Sequence, residues 1–278
     1  MMRKPTRRQI QLSDSDLRFV VETVATDRQD HEHIMEIVRD KPDILDIMLD
    51  DDKLFRKVTE DQDVLLKVSP WLLFTILIRR AAKDLANERF TIERIGATER
   101  IPVFDTDRVS ALLSDLSLRD YLVDLLASFV RTESMTVWYR SGRHIRRRTY
   151  SDMDVDDMIG LASRVDPEFR FPFYKRIGDI CLFTVGIFPE HVLAGYTPSA
   201  SLRGLTRAGR RRRSLPEYVA EGQRFYALAA GHEQAHEIGL DSVLNTLSES
   251  FDLARKPLNL ISDRYIRVQK ARWFGQPS

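Results

Sequence analysis

At 278 residues and 43% apolar content, the chain is long enough for one large domain or two small ones and rich enough to bury a core. Its single cysteine, Cys181, excludes an internal disulfide and fits a reducing cytoplasm. The net charge of +1 excludes a uniformly acidic or basic chain and leaves local charge runs to choose partners.

The first stretch, MMRKPTRRQIQLSDSD, has basic residues with no apolar run behind them, so it reads as a flexible basic tail over 1–12 and not as a signal peptide. From Ser13 to Leu66 there are sixteen Asp or Glu against seven Lys or Arg, a net of −9. Within this acidic region Leu17, Val20, Val21 and Val24 recur at helical spacing behind the capping candidates Ser13, Asp14 and Ser15. Ile34, Ile37 and Val38 predict a second helix, and Pro42 opens a third that carries Ile44, Leu45 and Met48.

Ser69 and Pro70 then read as N-cap and first residue of a long helix to about Asn87. Its opening run, WLLFTILI at 71–78, is apolar on every side, which predicts a central core helix. Eight residues fall well short of the roughly 20 that cross a bilayer, so no membrane partner is expected. RFTIERIGATERIPVFD places β-branched and aromatic residues on both sides of a Gly-Ala-Thr-Glu turn, predicting a β-hairpin near 89–104. Helical spacing resumes at Val109, Leu112, Leu113 and Leu116 and again at Leu118, Leu122, Leu125, Leu126 and Phe129.

VWYRSGRHIRRRTY, residues 137–150, reads as a basic, aromatic-containing linker. Arg140, Arg143, Arg146, Arg147 and Arg148 stand there among Trp138, Tyr139 and Tyr150. Arginine meets phosphate and flat rings stack on unpaired bases, so this mixture suits single-stranded nucleic acid. Asp152, Asp154, Asp156 and Asp157 follow at once, however, and internal ion pairing is the competing account. Two more helices are expected at about 154–165 and 173–188.

In FYKRIGDICLFTVGIFPEHV, residues 173–192, Ile177, Ile180, Phe183, Thr184 and Ile187 form an apolar stripe, and Gly178 and Gly186 let another helix approach closely. Asp179 inside that helix needs a partner, with Arg176 or another base as the structural reading and a functional carboxylate as the alternative. This segment resembles one shared by a loosely defined group of uncharacterised prokaryotic helical proteins, through Tyr174, Gly178, Asp179, Leu182, Phe183, Gly186, Phe188 and Pro189. The resemblance covers about a tenth of the chain and brings no activity with it.

A second basic run follows: 197–214 reads as a flexible Arg-rich loop, with Arg210, Arg211, Arg212 and Arg213 in succession and no acidic residue between Glu190 and Glu217. The remainder, 215–278, reads as C-terminal helices packing on the same core as 13–196: three helices over 216–272, with Asp241 or Ser242 capping the second and Pro257 opening the third.

The segment AAGHEQAHEIGLDS raises a metal question. On one helix, His232 and His236 would share a face and ligate zinc while Glu233 activates water. The wider pattern argues against it. Where a metzincin places its third ligand this chain has Ser242, Asp241 comes one residue early, and the last methionine is Met158, so no methionine turn follows. For a thermolysin-like site Glu249 comes too early, and Gly239 interrupts the helix. Glu233-x-x-His236 and Asp30-x-x-His33 also resemble the carboxylate-x-x-histidine pairs of di-iron bundles, without two further identified glutamates.

The sequence thus predicts a mainly α, multi-helix cytoplasmic protein with one hairpin near 89–104. Its expected role is non-enzymatic binding or scaffolding, without a cofactor, with single-stranded nucleic acid or an acidic protein as partner. The alternative is a metal-dependent hydrolase or oxidase using zinc at His232, Glu233 and His236.

Overall fold

The computed structural model describes residues 12–96, 99–130, 134–141, 144–151, 153–194 and 213–274, with 134–141 and 144–151 described by backbone alone. The fold is mainly α, and the chain divides into two compact units, residues 1–80 and 81–278. None of the described helices is long and apolar enough to cross a membrane.

The first unit holds α1 (Asp14–Val24), α2 (His31–Asp40), α3 (Pro42–Leu49), α4 (Asp52–Glu60) and the start of α5 (Pro70–Asn87). Ser13 caps α1 by accepting from the Asp16 N–H at 3.1 Å, and Asp51 caps α4 through the Lys53 N–H at 2.7 Å. Leu17, Val20, Val21 and Val38 are buried, as their helical spacing predicts, and Met35, Leu49, Leu54 and Val58 are buried with them. Ser69 is indeed the cap of α5, its hydroxyl accepting from the Leu72 N–H at 3.1 Å. The same hydroxyl donates to Asp16 at 2.7 Å, and the Ser69 N–H adds a second bond at 2.8 Å, so the buried carboxylate on α1 fixes where α5 begins. Further along α5, Arg79 forks onto Asp46 at 3.0 Å and Asp50 at 2.7 Å, so part of the acidic charge of this unit is met within it.

The second unit begins with the expected hairpin: β1 (Thr91–Arg94) pairs antiparallel with β2 (Arg100–Val103), Thr91 opposite Val103 and Arg94 opposite Arg100. α6 (Thr106–Leu113) and α7 (Leu116–Val130) follow. A second hairpin then appears where the sequence reads as a linker. β3 (Ser134–Ser141) pairs antiparallel with β4 (His144–Ser151) through a two-residue connection. After α8 (Val155–Ala162) comes α9 (Phe171–Ile187), the centre of this unit, and then α10 (Pro189–Ala194). α11 (Leu215–Ala230), α12 (Glu233–Glu237), α13 (Asp241–Glu249), α14 (Phe251–Leu260) and α15 (Lys270–Phe274) complete it.

α7, α8, α11 and α14 all pack on α9, whose Ile177, Ile180, Leu182, Phe183, Val185 and Ile187 are buried. The two glycines are the contact points. A Cβ on Gly178 would stand 2.6 Å from the Tyr226 ring of α11, and one on Gly186 would stand 2.7 Å from Leu258 of α14. Glycine therefore sets how closely both helices approach. At the end of α9 the open carbonyls are met from α14 and beyond. Asn259 donates to Val185 at 2.9 Å and Gly186 at 2.8 Å, and Ser262 donates to Ile187 at 2.6 Å.

Two helix starts differ from expectation. Pro257 lies inside α14 and not at its opening, because the helix begins at Phe251; the ring removes an N–H, and the segment continues as a π-turn at Ile261–Tyr265. Asp241 is the first residue of α13 and makes no capping bond, since its carboxylate faces His236.

Candidate functional site

The histidine segment does not form the helix that the zinc reading requires. α11 ends at Ala230, and His232 stands outside the next helix as its N-cap, in extended conformation at φ −83 and ψ 141. Its Nδ1 accepts from the Gln234 N–H at 3.2 Å and its Nε2 donates to the Pro167 carbonyl at 3.1 Å. Both ring nitrogens are thus engaged by backbone. His236 lies within the five-residue α12, with Nδ1 3.3 Å from Asp241 Oδ2, and the chain then turns at Gly239, whose φ is +70. Glu233 is an exposed residue of the first turn. His232 and His236 are therefore not one turn apart on a common helix face, which removes the geometric premise of the motif. Asp30 is likewise committed: it stands at the N-cap position of α2 without a side-chain capping bond and takes a two-pronged contact from Arg28 at 2.9 and 2.7 Å. That hydrogen bond holds its carboxyl at about 2, below the usual range.

Asp179 has the partners its burial demands, although Arg176 is not among them. Tyr121 of α7 donates to Oδ1 at 2.6 Å, Tyr226 of α11 donates to the same oxygen at 2.9 Å, and Lys175 meets Oδ2 at 2.7 Å. Lys175 also lies 4.7 Å from the centre of the Tyr121 ring. Arg176 points elsewhere, bonding Ser128 at 2.9 Å and covering the Phe129 ring. Burial and then the Asp179 charge push the two phenols well above their ordinary range, so both remain protonated donors. The cluster joins three helices and gives both oxygens of the carboxylate a protein donor, two on Oδ1 and one on Oδ2. Its chemistry is that of a structural tie.

The neighbouring thiol is equally inert. Cys181 is fully buried and burial raises its pKa, which keeps it protonated. Near it Arg213 makes a two-pronged contact with Asp156 at 2.6 and 3.2 Å, its side chain only 8% exposed. This arginine is held by α8. Arg210, Arg211 and Arg212 lie outside the described residues, as does all of 197–212. A small cavity of about 70 Å³ beside β1 is lined by Thr91, Ile92, Arg100, Lys256, Asp263 and Arg264. It is far below the roughly 300 Å³ at which ligand pockets begin.

The first basic segment has a definite backbone geometry. In the β3–β4 ribbon Trp138 stands opposite Arg147, Tyr139 opposite Arg146, Val137 opposite Arg148 and Arg140 opposite Ile145. From Ser134 to Ser151 there is no Asp or Glu. Arg143 lies in the connection, outside the described residues. Each aromatic residue of the Trp138–Tyr139 pair thus has an arginine as its direct cross-strand neighbour, within the spacing at which such pairs act together.

Comparison with protein-family models, with curated proteins and with solved structures finds no match to this chain.

Proposed function

We propose that the chain is a non-enzymatic binding protein of the cytoplasm whose partner is a nucleic acid, engaged through the ribbon at 134–151. The observation that carries this reading is the ribbon's register: arginines stand directly opposite Trp138 and Tyr139 across two paired strands that contain no carboxylate. Guanidinium groups bond phosphate oxygens in pairs, and rings beside them add stacking or apolar contact with bases. An acid-free ribbon also carries no internal counter-charge, so its field extends outward. The cytoplasmic assignment draws support from the single cysteine, which is buried and protonated.

The test is a purification without a histidine tag, followed by the 260/280 nm absorbance ratio, metal analysis and titration with labelled oligonucleotides at low salt. Binding that weakens steeply with salt supports the proposal. No binding to any strand, or about one metal per chain that is lost in His236→Ala, would replace it with a protein-binding or metal-centred role.

A further inference from the structure

We infer that the ribbon's nucleic acid is double-helical B-form DNA, entered from its major groove; this rests on the reading of the chain as a nucleic-acid-binding protein. Successive residues of a strand belong to opposite faces, and residues directly opposite one another share a face. The register therefore sorts the ribbon into two sets. Trp138, Arg140 and Arg147 belong to one face; Tyr139, Arg146 and Arg148 belong to the other. Arginine and aromatic residue occur on both.

That distribution separates three targets. A hairpin that lies flat on a core alternates apolar and polar residues, and three arginines in succession at 146–148 break that alternation. A platform for single strands needs rings and charges on the one face over which the strand runs, as in sheet-based RNA readers. A groove, by contrast, surrounds what enters it with phosphates on both sides, and it is met by a ribbon charged on both faces. The B-DNA major groove, about 12 Å wide, admits a two-stranded ribbon, whereas the minor groove is about 6 Å wide and the major groove of A-form RNA is deep and narrow. Strands Ser134–Ser141 and His144–Ser151 of eight residues each extend about 26 Å at roughly 3.3 Å per residue, which fits within one helical turn of about 34 Å. Arginine is also the side chain that reads guanine O6 and N7 from that groove.

The experiment uses the full chain and 20-mers of one sequence as duplex DNA, single-stranded DNA and duplex RNA, with fluorescence anisotropy at low salt. Duplex DNA is expected to bind at least about tenfold more tightly than either alternative. Arg146→Ala and Arg147→Ala, one from each face, are each expected to weaken duplex binding by about tenfold, the lower part of the range for a lost bidentate contact. Dimethyl sulfate footprinting with the wild-type chain is expected to protect guanine N7, a readout that does not depend on any variant folding. Equal or tighter binding of single strands, or unprotected N7 in a bound duplex, overturns the groove assignment and leaves nucleic-acid binding standing. A lack of binding to all three overturns both.

Discussion

Charge is handled in opposite ways on α9 and on the β3–β4 ribbon. On α9 a single buried carboxylate, Asp179, is met by Lys175 and two tyrosines from neighbouring helices, and the glycine beside it lets one of those tyrosines come close. On the ribbon, four arginines at 140 and 146–148 share two paired strands with no acidic residue. The difference teaches that a lone charge in a core is a packing element whose partners are found inside, whereas a run of like charge with no acid on its own strands is, under the proposed function, free to meet a partner's phosphates. Arg213 marks the boundary between these cases: it closes a second arginine run yet is buried against Asp156.

The largest effect that would break this comparison lies at the cluster. Asp179→Ala should cost about 3 kcal/mol in chemical denaturation, the low end for losing one partner of a buried pair, because Lys175 keeps access to water. A loss below about 1 kcal/mol would mean that the carboxylate is not a structural tie. Gly178→Ala follows, expected to cost about 2 kcal/mol by forcing the Tyr226 ring away from α9, measured in the same unfolding assay. Tyr226→Phe sharpens the account further. It removes one of two hydroxyls on Oδ1 while Tyr121 still donates, so the expected loss is about 1 kcal/mol.

The smallest effect concerns an exposed pair. Asp30 titrates at about 2, against an ordinary value of 3.8, because Arg28 bonds its charged form. A lowered folded-state pKa gives a stabilisation that is complete above the ordinary value and disappears as pH falls through about 2. Carboxyl NMR should place the Asp30 midpoint there, and Arg28→Ala should move it back toward 3.8.

Much of the frame was legible in the sequence because it rests on local signals. Ser69-Pro70 opens α5, the β-branched and aromatic runs on either side of Gly96 pair as the first hairpin, and Gly178 and Gly186 mark the helix contacts on α9. Gly239 marks the turn after α12, although the break between the two histidines falls earlier, after Ala230. What stayed hidden depends on distant partners or on a weak period. Tyr121 and Tyr226 lie 58 and 47 residues from Asp179, beyond any spacing rule, although Lys175 at i−4 was available as a better partner than Arg176. The second hairpin was hidden because consecutive arginines mask the alternation of a half-buried strand; its remaining signal is Gly142 in a two-residue connection between β-prone residues. The sequence places Pro257 at a helix start because that is proline's commonest helical place, whereas the helix begins six residues earlier at Phe251.

The most direct test of the outward-facing ribbon is one variant, Arg146→Ala, Arg147→Ala and Arg148→Ala together, measured by the salt dependence of DNA binding and by its unfolding free energy in parallel. Each phosphate contact contributes about 0.9 to the slope of log affinity against log salt on duplex DNA, so the account predicts that the slope falls by up to about 2.7 while stability stays within about 0.5 kcal/mol of wild type. An unchanged slope together with a stability loss of 2 kcal/mol or more would contradict it, because the arginines would then be paired at home, as Arg213 is with Asp156.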